Sequence, residues 1–328
     1  MKKQLLLTLF LLPALFVVAQ KQQWIVAKDG SGKFKTVQDA FNAVPLHNKK
    51  PVTIYIKTAI YKEKLHLDST KNFITLIGED KFNTILTYDD HTGKISLKGD
   101  VINTRTSYTF LVSANNFTVE NLTIQNDAGF TAGQAVGLEV QGDKAIIRNC
   151  RITGNQDILF TSNDNSRQYY EDCYIEGTTD FIFGSSTVWF ERCHIHSKKN
   201  SHVTAASTPQ AHTYGYIFND CVLTGDTVLN KVSLGRPWRP YANIIYMRCY
   251  IDKHIMPEGW ANWNNTDSYK TARYAEYKNY GPGARTSTRV NWSRQLSDDE
   301  ARKITKKNVF GDWDVKSLGH WVIESISH

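Results

Sequence analysis

The sequence predicts an all-β protein, a single-stranded right-handed parallel β-helix with a short N-terminal capping helix and a C-terminal cap. One observation is a strand phrase that recurs every 20–28 residues and places Leu or Cys at positions 122, 150, 173, 193, 221 and 249. Insertions of variable length separate the copies, as is typical of solenoids. In addition, the stretch 45–290 lacks the 3.6-residue periodicity of a long helix, and a β-sandwich would show more regular hairpins.

Residues 1–19 have the pattern of a secretory signal peptide. Lys2 and Lys3 precede an apolar stretch from Leu5 to Val18, which is short for a membrane span, and Ala19 ends a small-residue cleavage pattern. We therefore expect one mature domain, 20–328, that is secreted or periplasmic, does not enter a membrane and by default is a monomer.

The composition indicates an anionic partner or simply a soluble surface. The chain carries a net charge of +7 with a pI near 9.0, which would suit an acidic polysaccharide, but a basic surface can equally serve only solubility. Lys and Arg form doublets such as Lys198-Lys199 and Lys306-Lys307 and no longer run, so we expect no nucleic-acid partner.

The N-terminal segment predicts a strand, a Gly-rich turn and a helix. Thr36 and Asp39 have the spacing of a helix cap, and an apolar stripe follows at Val37, Ala40 and Phe41. Alternating strands follow at 52–57 and 73–78. A helix in this position would close the open end of the solenoid, whose free edge otherwise invites aggregation.

The five cysteines share one position of the repeat, in phrases such as Asn149-Cys150-Arg151-Ile152. An odd number in one repeat position predicts an inward stack of small apolar groups and no disulfide framework. The spacing of Cys and His suggests neither a metal site nor a cofactor.

Four insertions and the C-terminal region complete the predicted architecture. Residues 125–138, 157–167, 199–214 and 226–243 exceed the length of a turn and could build a cleft on the rigid scaffold. After residue 290 the sequence predicts a charged helix within 295–307 and a segment at 310–313 that folds back as a cap.

Two aspartates occupy equivalent places in the repeat. Asp157 lies seven residues after Cys150, and Asp180 lies seven residues after Cys173. On adjacent coils, strands are about 4.8 Å apart, so the two carboxyl groups could come within roughly 5 Å. Two acids at that distance cannot both ionise freely, and one should retain its proton.

A close carboxyl pair fits several reactions, and the neighbouring residues distinguish among them. Retaining glycosidases, aspartic proteases and acyl-enzyme esterases all use one or two acids. Gln156 precedes Asp157, and Gln134 lies one coil earlier; amide donors suit the oxyanion of acyl transfer. Arg236 could hold one aspartate ionised through a forked ion pair.

These motifs resemble those of the pectinesterase (pectin methylesterase) family, in its secreted bacterial type. The resemblance runs from about Val26 to Trp263 and rests on seven groups of residues. They are Asp29-Gly30-Ser31-Gly32, Tyr61-Lys62-Glu63, Gln134-Ala135-Val136, Gly154 to Leu159, Asp180-Phe181-Ile182-Phe183-Gly184, Leu234 to Trp238 and Met256-Pro257-Glu258-Gly259-Trp260. The sequence departs from the family pattern at Ala59, Gly137 and Phe160.

The resemblance implies hydrolysis of galacturonate methyl esters in pectin, without a cofactor. Asp180 would be the nucleophile, and Asp157 the general acid and base. Gln134 and Gln156 would stabilise the oxyanion, and Arg236 would orient Asp180. The substrate contacts that the resemblance implies are Gln134, Arg236, Trp238, Thr104, Phe181 and Trp260.

Rival interpretations remain open at this point. A lyase or polygalacturonase would also be β-helical, a glycan-binding protein would need neither aspartate, and a relative could act on thioesters. Assays for methanol and for reducing ends, with and without a chelator, distinguish among them.

Overall fold

The computed structural model describes residues 24–315, whose strands wind around one core as three parallel sheets. The chain passes from one sheet to the next, and each strand pairs in parallel with its equivalent one coil later. This confirms the predicted parallel β-helix. The predicted signal peptide, 1–19, lies outside the described residues.

The elements follow the predicted repeat. The first sheet contains β1 (Trp24–Val26), β2 (Val52–Ile56), β5 (Ile74–Gly78), β8 (Thr118–Glu120), β11 (Ala145–Arg148), β14 (Arg167–Glu171), β17 (Thr187–Glu191), β20 (Tyr216–Asn219), β23 (Asn243–Met247), β25 (Arg273–Tyr277) and β26 (Arg294–Gln295). The second contains β3 (Ala59–Lys62), β6 (Thr84–Tyr88), β9 (Thr123–Asn126), β12 (Arg151–Thr153), β15 (Tyr174–Gly177), β18 (His194–Ser197), β21 (Val222–Gly225) and β24 (Tyr250–Ile251). The third contains β4 (Leu65–Leu67), β7 (Phe110–Val112), β10 (Leu138–Val140), β13 (Leu159–Thr161), β16 (Ile182–Gly184), β19 (His202–Ala206) and β22 (Ser233–Pro237). The helices are α1 (Val37–Ala43), α2 (Asp298–Lys303) and α3 (Lys306–Phe310), with single 3₁₀ turns at Thr104–Thr106, Ser268–Lys270 and Thr286–Thr288.

A sharp turn joins the first sheet to the second on successive coils, and the cysteines follow it. Asn149 adopts left-handed backbone geometry (φ 45°) immediately before Cys150, and Asp172 (φ 53°) does so before Cys173. Asn and Asp tolerate this conformation better than most residues. All five cysteines are buried and free, and burial raises the pKa of the Cys150 thiol to about 12. The predicted inward stack of unlinked cysteines is therefore confirmed.

Helix α1 packs against the N-terminal coils of the solenoid as predicted. The Thr36 hydroxyl accepts a hydrogen bond from the Asp39 backbone N–H at 3.1 Å, and the Phe41 ring stacks on Phe110 with centroids 5.5 Å apart. The buried stripe of α1 covers apolar side chains that an open end would expose to water.

The C-terminal segment folds back over the outer face of the first sheet. The sequence predicts one charged helix within 295–307, but the structure has two short helices, α2 within that range and α3 mostly beyond it, because the helical backbone is broken at Ile304 and Thr305. Phe310 and Trp313 pack there against Tyr169 and Trp189. The segment thus covers the flank of the sheet.

Candidate active site

The register of the second and third sheets brings Asp157 and Asp180 to the same place on adjacent coils. Strand β12 pairs with β15, and β13 pairs with β16, both with an offset of 23 residues. Asp157 lies between β12 and β13, and Asp180 lies 23 residues later between β15 and β16. The two acids are therefore one strand spacing apart along the solenoid, about 4.8 Å.

Both aspartates stand at a sharp turn from the second sheet to the third. Their backbones are left-handed, with φ of 63° at Asp157 and 49° at Asp180. Non-glycine residues in this region are uncommon and concentrate at functional sites. Only 9% of Asp157 and 4% of Asp180 is exposed to solvent. The fold thus holds both acids rigidly in a largely water-excluded place.

Arg236 forms a forked ion pair with Asp180. On β22, two strands beyond β16, its Nε donates to Oδ1 of Asp180 at 3.0 Å and its Nη2 donates to Oδ2 at 2.6 Å. The Trp263 ring lies against the guanidinium, whose Cζ is 4.0 Å from the ring centroid. This pairing fixes the carboxylate plane of Asp180 and favours its ionised form.

The surroundings give the two aspartates different proton affinities. Burial raises the pKa of Asp157 well above its ordinary value, and the neighbouring charge of Asp180 raises it further. Burial also raises the pKa of Asp180, but the Arg236 guanidinium opposes that rise. When the pair holds a single proton, we therefore assign the proton to Asp157.

Gln134 and Gln156 lie side by side on adjacent coils next to the acids. They form a parallel bridge, in which the Ala135 N–H donates to the Gln156 carbonyl at 3.0 Å. Both glutamines are half-buried. Thr104 reaches the same edge, because its hydroxyl lies 3.4 Å from that of Thr92, whose N–H donates to the Gln134 carbonyl.

A row of outward-facing residues crosses the third sheet beside the acids. The positions paired in register are Glu139, Phe160, Phe183, Ala205 and Arg236, on β10, β13, β16, β19 and β22. We call these five residues the cleft row.

The middle of the cleft row is aromatic and extends toward two tryptophans. Phe160 stacks on Phe183 with centroids 4.2 Å apart, Phe183 contacts Trp238 at 5.9 Å, and Trp238 contacts Trp263 at 6.4 Å. These rings form an apolar cluster separate from the core. Phe160 and Phe183 are almost fully buried within the cluster, whereas Trp238 and Trp263 are partly exposed and offer ring surface to a sugar.

Two expected substrate contacts lie elsewhere. Phe181 is fully buried in the solenoid core, and Trp260 is 1% exposed between the rings of Tyr246 and Tyr274. A ligand in the cleft cannot reach either side chain, so the expectation that they contact substrate is wrong. Both residues instead support the core beneath the site.

Sequence reasoning missed two residues of the site, Trp263 and His202. Trp263 follows Trp260 by three residues, but it is Trp263 that packs on Arg236. His202 accepts the Asp180 backbone N–H at its carbonyl oxygen (2.8 Å), and burial lowers the pKa of its ring to about 4, so the ring is neutral at neutral pH. Because Trp263 lies in a loop and His202 lies 22 residues from Asp180 along the chain, no local motif indicated either residue.

Within residues 24–315, no cluster of three or more His, Cys, Asp or Glu side chains has the arrangement of a metal site. No helix in the same range has the length and apolar character needed to cross a membrane. The chemistry that this chain itself offers is that of two acids, two amides and one guanidinium.

Comparison with known proteins shows the family of this chain. Residues 23–312 match the family model described as Pectinesterase. Pectinesterase 31 of Arabidopsis thaliana is 40% identical over 281 residues, which cover 84% of this chain and 88% of that protein.

Solved structures with the same fold carry related descriptions. The pectin methylesterase from carrot is 31% identical, with a TM-score of 0.83, over 91% of this chain and 96% of the carrot chain. A pectin methylesterase in complex with a hexasaccharide is 28% identical, with a TM-score of 0.79, over 90% of this chain and 99% of its own.

Proposed function

Because this chain belongs to the pectinesterase family, we propose that it hydrolyses galacturonate methyl esters in pectin, releasing methanol and de-esterified pectin. Pectinesterases are carboxylic ester hydrolases, and similar proteins include plant and bacterial ones. The observation that carries the proposed mechanism is the unequal acid pair. Asp180 is held by a forked arginine, one coil from Asp157, whose pKa is raised well above the ordinary value.

In the first step, a carboxylate oxygen of Asp180 attacks the ester carbonyl carbon. The carbonyl π electrons move to oxygen, and the resulting oxyanion accepts hydrogen bonds from the side-chain amides of Gln156 and Gln134. Amide donors that are positioned before the reaction stabilise such a charge without reorganisation. Arg236 keeps the attacking oxygen in place through its second bond to the same carboxylate.

In the second step, the tetrahedral intermediate expels methoxide. Asp157 gives its proton to the departing oxygen, methanol leaves, and Asp180 remains joined to the galacturonate carbonyl as an acyl-enzyme. Asp157, now ionised, takes a proton from water as the water oxygen attacks that carbonyl. The bond to Asp180 breaks, which restores the Asp180 carboxylate and the protonated Asp157 and leaves galacturonic acid in the polymer.

The cleft surface suits a polymer of acidic sugars. The partly exposed ring of Trp238 packs on the buried rings of Phe183 and Phe160 beside the acids, and the chain carries a net charge of +7. Positive charge favours association with a polyanion. Export through the predicted signal peptide would bring the protein to such a substrate.

The test is to incubate the protein with highly methylated pectin and to measure methanol and reducing ends in parallel, with and without a chelator. We expect methanol without new reducing ends, at a rate that chelation leaves unchanged. Reducing ends without methanol would indicate a glycosidase or lyase and would overturn the proposal. Pectin binding with neither product would indicate a non-catalytic carbohydrate-binding protein.

A further inference from the structure

Arg105 stands at the opposite end of the cleft row from Arg236. Its guanidinium Cζ lies 4.9 Å from the centroid of the Phe160 ring, and its Nη1 lies 3.6 Å from Oε1 of Glu139. Its side chain is 64% exposed, whereas that of Arg236 is 16% exposed. Most of the hydrogen-bonding capacity of Arg105 is therefore open to solvent.

The backbone beneath Arg105 holds it in position. The residue lies in the 3₁₀ turn Thr104–Thr106, where Asn103 and Thr106 cap each other through reciprocal hydrogen bonds of 3.2 Å and 2.9 Å. Stacking on Phe160 restricts the side chain further. Such restraint reduces the entropy that a bound ligand would have to remove.

Glu139 supports Arg105 from below. The carboxyl group is 1% exposed, and Oε1 accepts hydrogen bonds from Ser162 Oγ at 2.7 Å and Gln141 Nε2 at 2.9 Å. Oε2 is buried without a hydrogen-bond partner, and burial raises the pKa of the group. Because Glu139 is held inside the cleft floor and touches Arg105 at only 3.6 Å, it positions the guanidinium without saturating it.

An open polar pocket adjoins this arginine. It has a volume of about 460 Å³ and is lined by Arg105 together with Gln141, Ser162 and Asn163. One acid, Asp164, also lines it. Amide and hydroxyl groups around a cation suit a sugar that carries a carboxylate.

We propose that Arg105 binds the free carboxylate of a galacturonate unit further along the polymer than the unit being de-esterified. This rests on the proposed function, which supplies the substrate. Glu139, the ion-pair partner of Arg105, lies on β10, two strand spacings or roughly 10 Å from β16, which Asp180 immediately precedes, so the carboxylate that Arg105 binds belongs to a different unit from the ester that Asp180 attacks. The proposed contact favours substrates that carry a free carboxylate near the ester under attack.

The test compares Arg105→Gln with wild type on two methyl-esterified oligogalacturonates of equal length. One is fully esterified, and the other carries free carboxylates beside its esters. Arg105→Gln should raise KM about three- to tenfold on the second substrate and less than twofold on the first, with similar kcat. Arg105→Lys should restore part of the difference, because it keeps the charge without the fork.

Arg302→Gln is the matched control, because Arg302 is 70% exposed on α2 and its loss changes the net charge equally. It should leave both KM values unchanged. The preference of wild type for the second substrate should also fall as salt is added. Equal rises in KM on both substrates would mean that Arg105 acts through cleft shape, and no rise would mean no contact; either result overturns the proposal.

A binding measurement separates this proposal from the proposed function. Calorimetry with a fully de-esterified oligogalacturonate requires no turnover, and Arg105→Gln should weaken Kd by the same three- to tenfold. If wild type releases no methanol from either substrate, the proposed function fails, while the calorimetry still decides whether Arg105 binds a uronate. Equal Kd values for wild type and Arg105→Gln would overturn the assignment of Arg105.

Discussion

The cleft row ends in two arginine–carboxylate pairs that are built in opposite ways. In the Arg236–Asp180 pair, two hydrogen bonds of 3.0 Å and 2.6 Å hold both oxygens of a buried carboxylate, and Trp263 lies against the guanidinium. In the Arg105–Glu139 pair, the closest approach is 3.6 Å, and the arginine remains largely exposed.

The difference shows that an arginine–carboxylate pair can have either of two roles in one reaction: it can orient the nucleophile, or it can present an arginine that binds a substrate anion. Two of the five N–H donors of Arg236 bind Asp180 and Trp263 lies against the guanidinium, so we propose that Arg236 chiefly orients Asp180, while its remaining donors can still contact substrate. An unsaturated arginine held in place can bind an incoming anion. Geometry at each end, and not residue type, decides which role is available.

The largest expected effect is at the nucleophile. Asp180→Ala should reduce methanol release about 10⁴-fold or more, because the acyl-enzyme cannot form. The matched control is Asp172→Ala, which removes another aspartate with left-handed geometry (φ 53°) outside the cleft. Circular dichroism should remain that of a β protein in both variants. Near-wild-type turnover by Asp180→Ala would mean that Asp180 is not the nucleophile, and the two ends of the cleft row would then no longer differ in function.

The second-largest expected effect tests whether Gln156, next to Asp157 and Asp180, stabilises the oxyanion. Gln156→Ala should lower kcat about 10²–10³-fold, equivalent to about 2.7–4 kcal/mol in the barrier, with a small change in KM. The measurement is steady-state methanol release on fully esterified substrate. An unchanged kcat would exclude Gln156 as the oxyanion donor.

Breaking the Arg236–Asp180 pair should change both kcat and the pH profile. Arg236→Gln should reduce kcat on the order of 10²-fold, because Asp180 is no longer aligned. Without the guanidinium that opposes it, burial should raise the pKa of Asp180 further, so the acidic limb of kcat/KM moves to higher pH. Arg105→Gln should leave that limb in place, since Arg105 contacts Glu139. If the acidic limb of kcat/KM stays at the same pH in Arg236→Gln, Arg236 does not control the pKa of Asp180, and the prediction is wrong.

The smallest effect concerns stability and contrasts an unpaired acid with a paired one. The pKa of Asp157 is raised, so its folded form binds a proton more tightly than the unfolded chain does. Its contribution to stability is complete below the unfolded pKa and is lost as pH rises through the folded pKa. Asp157→Asn does not titrate, so its Tm relative to wild type should increase with pH. Asp180→Asn should instead destabilise, because it leaves the Arg236 charge buried without its partner. A Tm difference that is independent of pH would contradict the raised pKa of Asp157.

Much of the site was predictable because the repeat converts sequence spacing into spatial position. The 23-residue interval from Cys150 to Cys173 is also the interval from Asp157 to Asp180, and the strand register preserves it. The Gln134–Gln156 bridge and the Arg236–Asp180 ion pair join residues named from the sequence. Their catalytic roles remain proposals that the variants above test.

The sequence by itself determined the coil period, the inward cysteine stack and the shared register of the two acids, since all three follow from one repeat. Only the tertiary structure decided which of Trp260 and Trp263 enters the core, and that Arg105 reaches Glu139 across a separate coil. The reason is physical: strand periodicity fixes side-chain direction every second residue, whereas a loop side chain takes its direction from the surfaces it packs against.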